Sequence, residues 1–165
     1  MFWIIILGIA TGMRTMTPLA VLCWFMALAL LPVDNWTFWA AKIVSVIIFT
    51  LCALSEYYID TLPQTSSRTR ILGVSARLIA AALAGAMVAA SFQEPLAGGI
   101  LFCCIGALIG TYGGYHLRMY LARRVGRDLP VALAESALAL IFAIVAAHRI
   151  HVDIKDAAAA ARTFF

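Results

Sequence analysis

Long apolar runs separated by short polar stretches make up most of this chain. Phe2 to Leu31 is apolar apart from Arg14 and the threonines beside it. As one helix this run would measure about 45 Å at 1.5 Å per residue, more than the roughly 30 Å hydrocarbon core of a bilayer. Thr17-Pro18 marks a break, because threonine caps helix starts well and proline is favoured at the first helical position. The run therefore splits into helices over Phe2–Met13 and Pro18–Leu31, as a re-entrant hairpin or a broken span. Pro32 to Trp39 is a turn holding Trp36 and Trp39, the pattern of an interfacial anchor. Ala40–Ile59, Gly73–Phe92, Leu96–Leu121 and a run from Asp128 to about Ala147 each read as spans. Asp60–Arg70, Gln93-Glu94-Pro95 and Arg123–Asp128 supply the loop chemistry between them.

The predicted fold is an all-α polytopic membrane bundle of about five segments, the first broken or re-entrant. Residues 1–147 form one domain, and residues 148–165 form a tail expected to lie on the membrane as a short interfacial helix. Composition points the same way: 64% of the residues are hydrophobic and 12% charged. A soluble domain would be nearer half and a quarter. The net charge of +4 sits at the ends of apolar runs, so it speaks for orientation and not for nucleic acid. Arg68 and Arg70 lie two spans from Arg123, Arg124 and Arg127, hence on the same side, expected to be cytoplasmic. The Trp36 and Glu94 turns then face outward across a bacterial inner membrane. Met1–Leu7 has no basic leader and no small-residue cleavage site after it, so it reads as part of the mature fold. Cys23, Cys52, Cys103 and Cys104 all sit in apolar runs without a C-x-x-C spacing and read as small core hydrophobes.

Two arginines inside apolar sequence are the sharpest chemical signal. Each follows a glycine ladder: Gly8 and Gly12 precede Arg14, and Gly106, Gly110, Gly113 and Gly114 precede Arg118. The arrangement hints at a weak internal repeat. A cation in the bilayer core costs on the order of 3 kcal/mol, so it implies a partner or a job. Glycines four apart let helices approach closely, inside the bundle or at a dimer seam; Gly113-Gly114 also suits a hinge or an exposed backbone. Arg14, Thr15 and Thr17 flank a helix start whose N–H groups and dipole favour an anion. The competing reading is that Arg14 pairs with Glu56 or Glu135. Arg118, Tyr115 and His116, with Tyr112 and Tyr120, line a polar cavity or sit at the headgroup belt. Glu56, Asp60 and Glu135 are candidates for coupling or counter-ion roles. Arg77 reads as snorkelling. Neither a metal nor a cofactor is predicted, since no ligand set, phosphate loop or nucleophile-and-base pattern occurs.

Three stretches carry a family likeness: Gly12-Met-Arg14 with Pro18-Leu19; the Glu56–Thr69 loop, with Asp60, Leu62-Pro63, Thr65 and Ser67-Arg68; and Gly113-Gly114-Tyr115 with Leu117-Arg118. Over about Gly8 to Ala147 the chain resembles the bacterial family called domain of unknown function 4126. The resemblance implies a small multi-span membrane protein. It also implies Glu-Asp in the last span where this chain has Glu135-Ser136, which weakens a carboxylate-pair role there.

The expected function is a small transporter or flippase-like carrier for an anionic solute or lipid headgroup. Arg14 and Arg118 would bind the anion, and Glu135 or Glu56 would couple protons. Arg14, before the proline-started helix, is the better candidate; Arg118, near the basic Arg123–Arg127 loop, also reads as an interfacial anchor. The expected partners are membrane lipid and a second copy, most simply as a dimer. The alternatives are a non-transporting accessory protein with internally paired charges and, less well supported, a lipid-modifying enzyme using the Asp60–Arg70 loop.

Overall fold

The computed structural model describes residues 1–59, 71–125 and 128–163. Among them it is helical and without strands: α1 (Phe2–Met13), α2 (Thr17–Ala27), α3 (Ile43–Ile59), α4 (Ile71–Ser91), α5 (Leu96–Val125) and α6 (Asp128–Thr163). Instead of about five segments there are six helices among the described residues, and three are long and apolar enough to cross a membrane. These are Gly73–Ser91, Leu96–Leu121 and Pro130–Ala160, and they are compatible with an integral membrane protein. α1, α2 and α3 are shorter apolar helices.

The break between α1 and α2 falls at Arg14–Met16, just before Pro18, where a proline at the second helical position starts α2. α2 stops at Ala27, short of the expected Leu31, because the chain closes a Schellman cap there. Ala29 takes φ 54°, its N–H donates to Met26 O at 3.1 Å, and the Leu30 N–H donates to Phe25 O at 2.8 Å. α4 ends the same way at Gln93, with φ 57° and the Glu94 N–H on Ala89 O at 3.0 Å. The expected separate tail helix is corrected. α6 runs unbroken to Thr163, since residues 148–163 contain no glycine or proline and end in the helix-favouring Ala157–Ala161. His151 Nδ1 meets the Leu30 carbonyl and Ile154 packs on the core, which holds this extension to the bundle.

α5 is the spine. α1 lies along it in parallel, with Gly8 against Cys103 and Gly106, and Gly12 against Ala107 and Thr111. A Cβ at Gly8, Gly12, Gly106 or Gly110 would run into the backbone of the facing helix. These four glycines are therefore consumed in contact within one chain, and the two ladders lie against each other. α4 crosses α5 through Gly85 and Gly99, an equally close meeting. α6 runs antiparallel to α1, with Arg149 over the Trp3 ring at 5.5 Å at one end and Ser136 on Arg14 at the other. α3 runs antiparallel to α2 and is peripheral: Val46 and Ala53 are its buried residues. Trp3, Leu30, Ser91 and His151 thus gather at one end of the bundle; Arg14, Glu56, Arg118 and Glu135 gather toward the other. Cys23 and Cys103 are buried, Cys52 and Cys104 half-buried, and all four are free thiols.

The Schellman closures make a direct prediction. Ala29→Gly removes the strain of a side chain at positive φ and stabilises the protein by about 1 kcal/mol. Ala29→Val does the reverse. Reversible unfolding in mixed micelles, followed by circular dichroism, reads both.

Candidate functional site at two linked arginine centres

Arg14 closes α1 in an extended conformation, φ −140° and ψ 114°, with its N–H on Ala10 O. That geometry turns its side chain away from the α1 axis and into the bundle, where it is 1% exposed. Nη2 donates to Ser136 Oγ at 2.6 Å and to Ala132 O at 3.3 Å. The Ser136 hydroxyl in turn donates to Ala132 O at 2.8 Å. The guanidinium also lies 5.2 Å from the Tyr57 ring centroid, within cation–π range. Tyr57 OH and Thr17 Oγ1 are hydrogen-bonded at 2.8 Å.

The Glu56 carboxylate occupies the mouth of the α2 start. One oxygen accepts from the Thr15 N–H at 2.8 Å and the other from the Met16 N–H at 3.0 Å. A helix N-terminus favours an anion, and here the anion is supplied by α3 of the same chain. Glu56 thus meets the tip of the α1–α2 hairpin through the backbone amides of Thr15 and Met16.

The second centre lies on the neighbouring face of α6. Arg118 Nη1 stands 3.7 Å from Glu135 Oε2, and both side chains are largely buried. That separation is longer than a close charge-assisted hydrogen bond, about 2.7–2.9 Å. Gly114 makes the room: a Cβ there would sit 3.3 Å from Glu135 Oε1 and 3.5 Å from Met13 Cγ. Beside the pair is a small open cavity of about 40 Å³, walled by Met13, Leu117, Leu121, Val131, Ala134 and Leu138. Arg14 does not line it. The two centres are nevertheless one construction, because Met13 and Arg14 are neighbours on one side and Glu135 and Ser136 on the other.

The remaining candidates scatter. Tyr115 and His116 stack edge to face at 5.6 Å and line a shallow surface depression with Met119, Tyr120 and Arg123, apart from both arginine centres. Tyr112, His116 and Tyr120 share an exposed face. Gly113 faces open space. Arg77 is buried and reaches back along α4 to Gly73 O at 3.2 Å. Asp60 and the Asp60–Arg70 loop lie outside the described residues. Among the described residues no three His, Cys, Asp or Glu side chains gather as a metal-ligand group. Tyr57, Ser136, Gly85 and Gly99 were not singled out from the sequence. Tyr57 had one signal, its place beside Glu56 in the family-like stretch.

Glu56→Gln keeps the shape and replaces one carboxylate oxygen by a donor facing an amide N–H. The expected loss is about 2 kcal/mol, the range for hydrogen bonds to a charged group. Amide exchange at Thr15 and Met16 should rise while exchange in α4 stays unchanged. Unaltered exchange at both amides would contradict the assignment.

No curated protein and no solved structure matches the chain. A family model matches residues 31–155, the stretch from the end of the hairpin to the far part of α6, with Glu56, Arg118 and Glu135 inside it. The family number suggested by the motifs is not the one matched; what stands of that likeness is membership of an uncharacterised domain family. By that match the chain belongs to the family described as Domain of unknown function (DUF7670).

Proposed function

We propose that this is an integral protein of the bacterial inner membrane that carries an anionic solute or lipid headgroup, with Arg118 meeting the cargo and Glu135 as its resident counter-ion. The α1–α2 hairpin enters from the outer side and turns back at Arg14, so the first segment is re-entrant. α3, α4, α5 and α6 cross, which makes five segments with the hairpin as one. The end bearing Arg123 and Arg124 faces the cytoplasm, as the excess of basic residues favours. The carrying observation is the Arg118–Glu135 pair at 3.7 Å on the wall of an otherwise apolar cavity. A buried ion pair is commonly no more stabilising than apolar residues of the same volume, and intramembrane charges generally mark a pathway or a site. Arg14 has the other role: its bonds to Ser136 and Ala132 hold the hairpin tip. The working unit is taken as a homodimer, the commonest closed assembly.

The closure of Arg14 favours a second reading, a non-transporting accessory protein whose charges only fix the fold. Reconstituted vesicles separate the two. One set carries headgroup-labelled phosphatidylglycerol, quenched from outside by dithionite; another traps phosphate and reports its release. Under the carrier reading wild type exposes the inner-leaflet lipid or releases phosphate, and Arg118→Gln with native helicity does neither. If wild type moves neither cargo, the accessory reading holds.

A further inference from the structure

We infer that the depression near the end of α5, lined by Tyr115, His116, Met119, Tyr120 and Arg123, binds the phosphate of an anionic phospholipid whose chains lie along the exposed face of the same helix. Arg118 does not line this depression, so the site stands whatever the Arg118 centre carries.

Four of the five lining side chains can donate a hydrogen bond, and none is a carboxylate. Arg123 presents an exposed guanidinium fork, the shape that suits phosphate. Tyr115 and His116 meet edge to face at 5.6 Å. Arg124 lies over the Tyr120 ring at 4.8 Å, which brings a second guanidinium to the rim. A phosphodiester that leaves bulk water needs donors on several sides, and here they stand together without an acid among them. The depression measures about 340 Å³. At roughly 30 Å³ per water-sized group that is room for a phosphate and a small polar headgroup. A helix C-terminus alone favours Arg123 and Arg124, but it does not account for Tyr115 and His116 two turns earlier.

The rest of the helix face supplies the place for the chains. Leu96–Leu121 would measure about 39 Å, longer than the roughly 30 Å hydrocarbon core, so the last turns of α5 stand in the headgroup layer. Below them Leu101, Ile105, Leu108, Ile109 and Tyr112 are 40–58% exposed. At about 100° per residue all five fall within the sector between Tyr115 and Tyr120. From Leu101 to Tyr112 the stripe runs about 16 Å, close to the roughly 15 Å depth of one leaflet's hydrocarbon. A free phosphate would use the donors and leave this stripe idle; a phospholipid uses both. A second copy suits the face less well. In a parallel two-fold pair the patch meets itself, so Arg123 would face Arg123 and require an anion between them.

Full-length protein in detergent micelles, titrated with phosphatidylglycerol or with phosphatidylcholine of the same chains, tests this by native mass spectrometry. Phosphatidylglycerol should bind about tenfold more tightly, and Arg123→Gln should remove that preference, the factor expected for losing one charge-assisted contact. Tyr120→Phe should weaken binding severalfold. Arg149→Gln removes a charge at the other end of the bundle and should change nothing. Glycerophosphoglycerol, the same phosphodiester without chains, and inorganic phosphate should not displace the lipid at equal concentration. Equal binding of the two lipids, wild-type preference in Arg123→Gln, or an equal loss in Arg149→Gln each overturn the proposal. Displacement by inorganic phosphate assigns the depression to a free anion and refutes the lipid. A ready disulfide between two copies of Ile109→Cys makes the face a seam and refutes it as well.

Discussion

The backbone contact between α1 and α5 sets the depth of everything else. Four glycines let the two helices touch so closely that no Cβ fits at Gly8, Gly12, Gly106 or Gly110. In lipid such contact replaces the hydrophobic drive that packs helices in water. It also fixes register. With Gly12 against Ala107 and Thr111, and the Thr111 hydroxyl donating to Gly12 O at 3.3 Å, Met13 arrives beside Gly114 and Arg14 one residue later. The hairpin turns at the level of the α5 stretch that bears Arg118 four residues on. Neither arginine has a free choice of height in the bundle.

At that height the last helix divides its work between adjacent residues. Glu135 faces α5 and Ser136 faces the hairpin tip, because neighbouring residues on a helix point about 100° apart. One turn earlier, the Ala132 carbonyl accepts from both Arg14 and Ser136. α3 completes the tip from the opposite side with Glu56 and Tyr57. α3 has little buried surface of its own, so its polar attachments, with Trp24 Nε1 on Thr50 Oγ1 at 3.1 Å, fix its position along α2.

Much of the helical layout was legible because lipid-type spans write themselves in runs of apolar residues. α1 was read to the residue, and Pro18 announced the break. The αL closures at Ala29 and Gln93 were not legible, since neither position carries the glycine that usually signals them. The tail was cut from α6 because its charges suggested water, yet helix propensity and docking at Leu30 carry the helix on. At the site, residue types were readable and partners were not. That Glu56 would cap Thr15 and Met16, and that Ser136 would hold Arg14, depends on the register of four helices, which no local spacing encodes. Tyr115 and His116 line a depression with Tyr120 and Arg123, not the cavity beside Arg118, although Tyr115 stands only three residues from that arginine.

The two arginines that look alike in sequence therefore differ in the partners that face them. Arg14 is 1% exposed, with a 2.6 Å hydrogen bond to Ser136 and an aromatic ring over it. Removing its partners would strand a buried charge, and replacing them with a ligand would require opening three helices at once. Arg118 faces its carboxylate at 3.7 Å across a gap that a glycine keeps clear and beside a cavity that reaches the outside. A charge pair at that distance gains less from direct hydrogen bonding than a close one. The carrier role proposed for Arg118 rests on that pair, and Arg14, bonded to Ser136, holds the hairpin whose register brings Met13 beside Gly114.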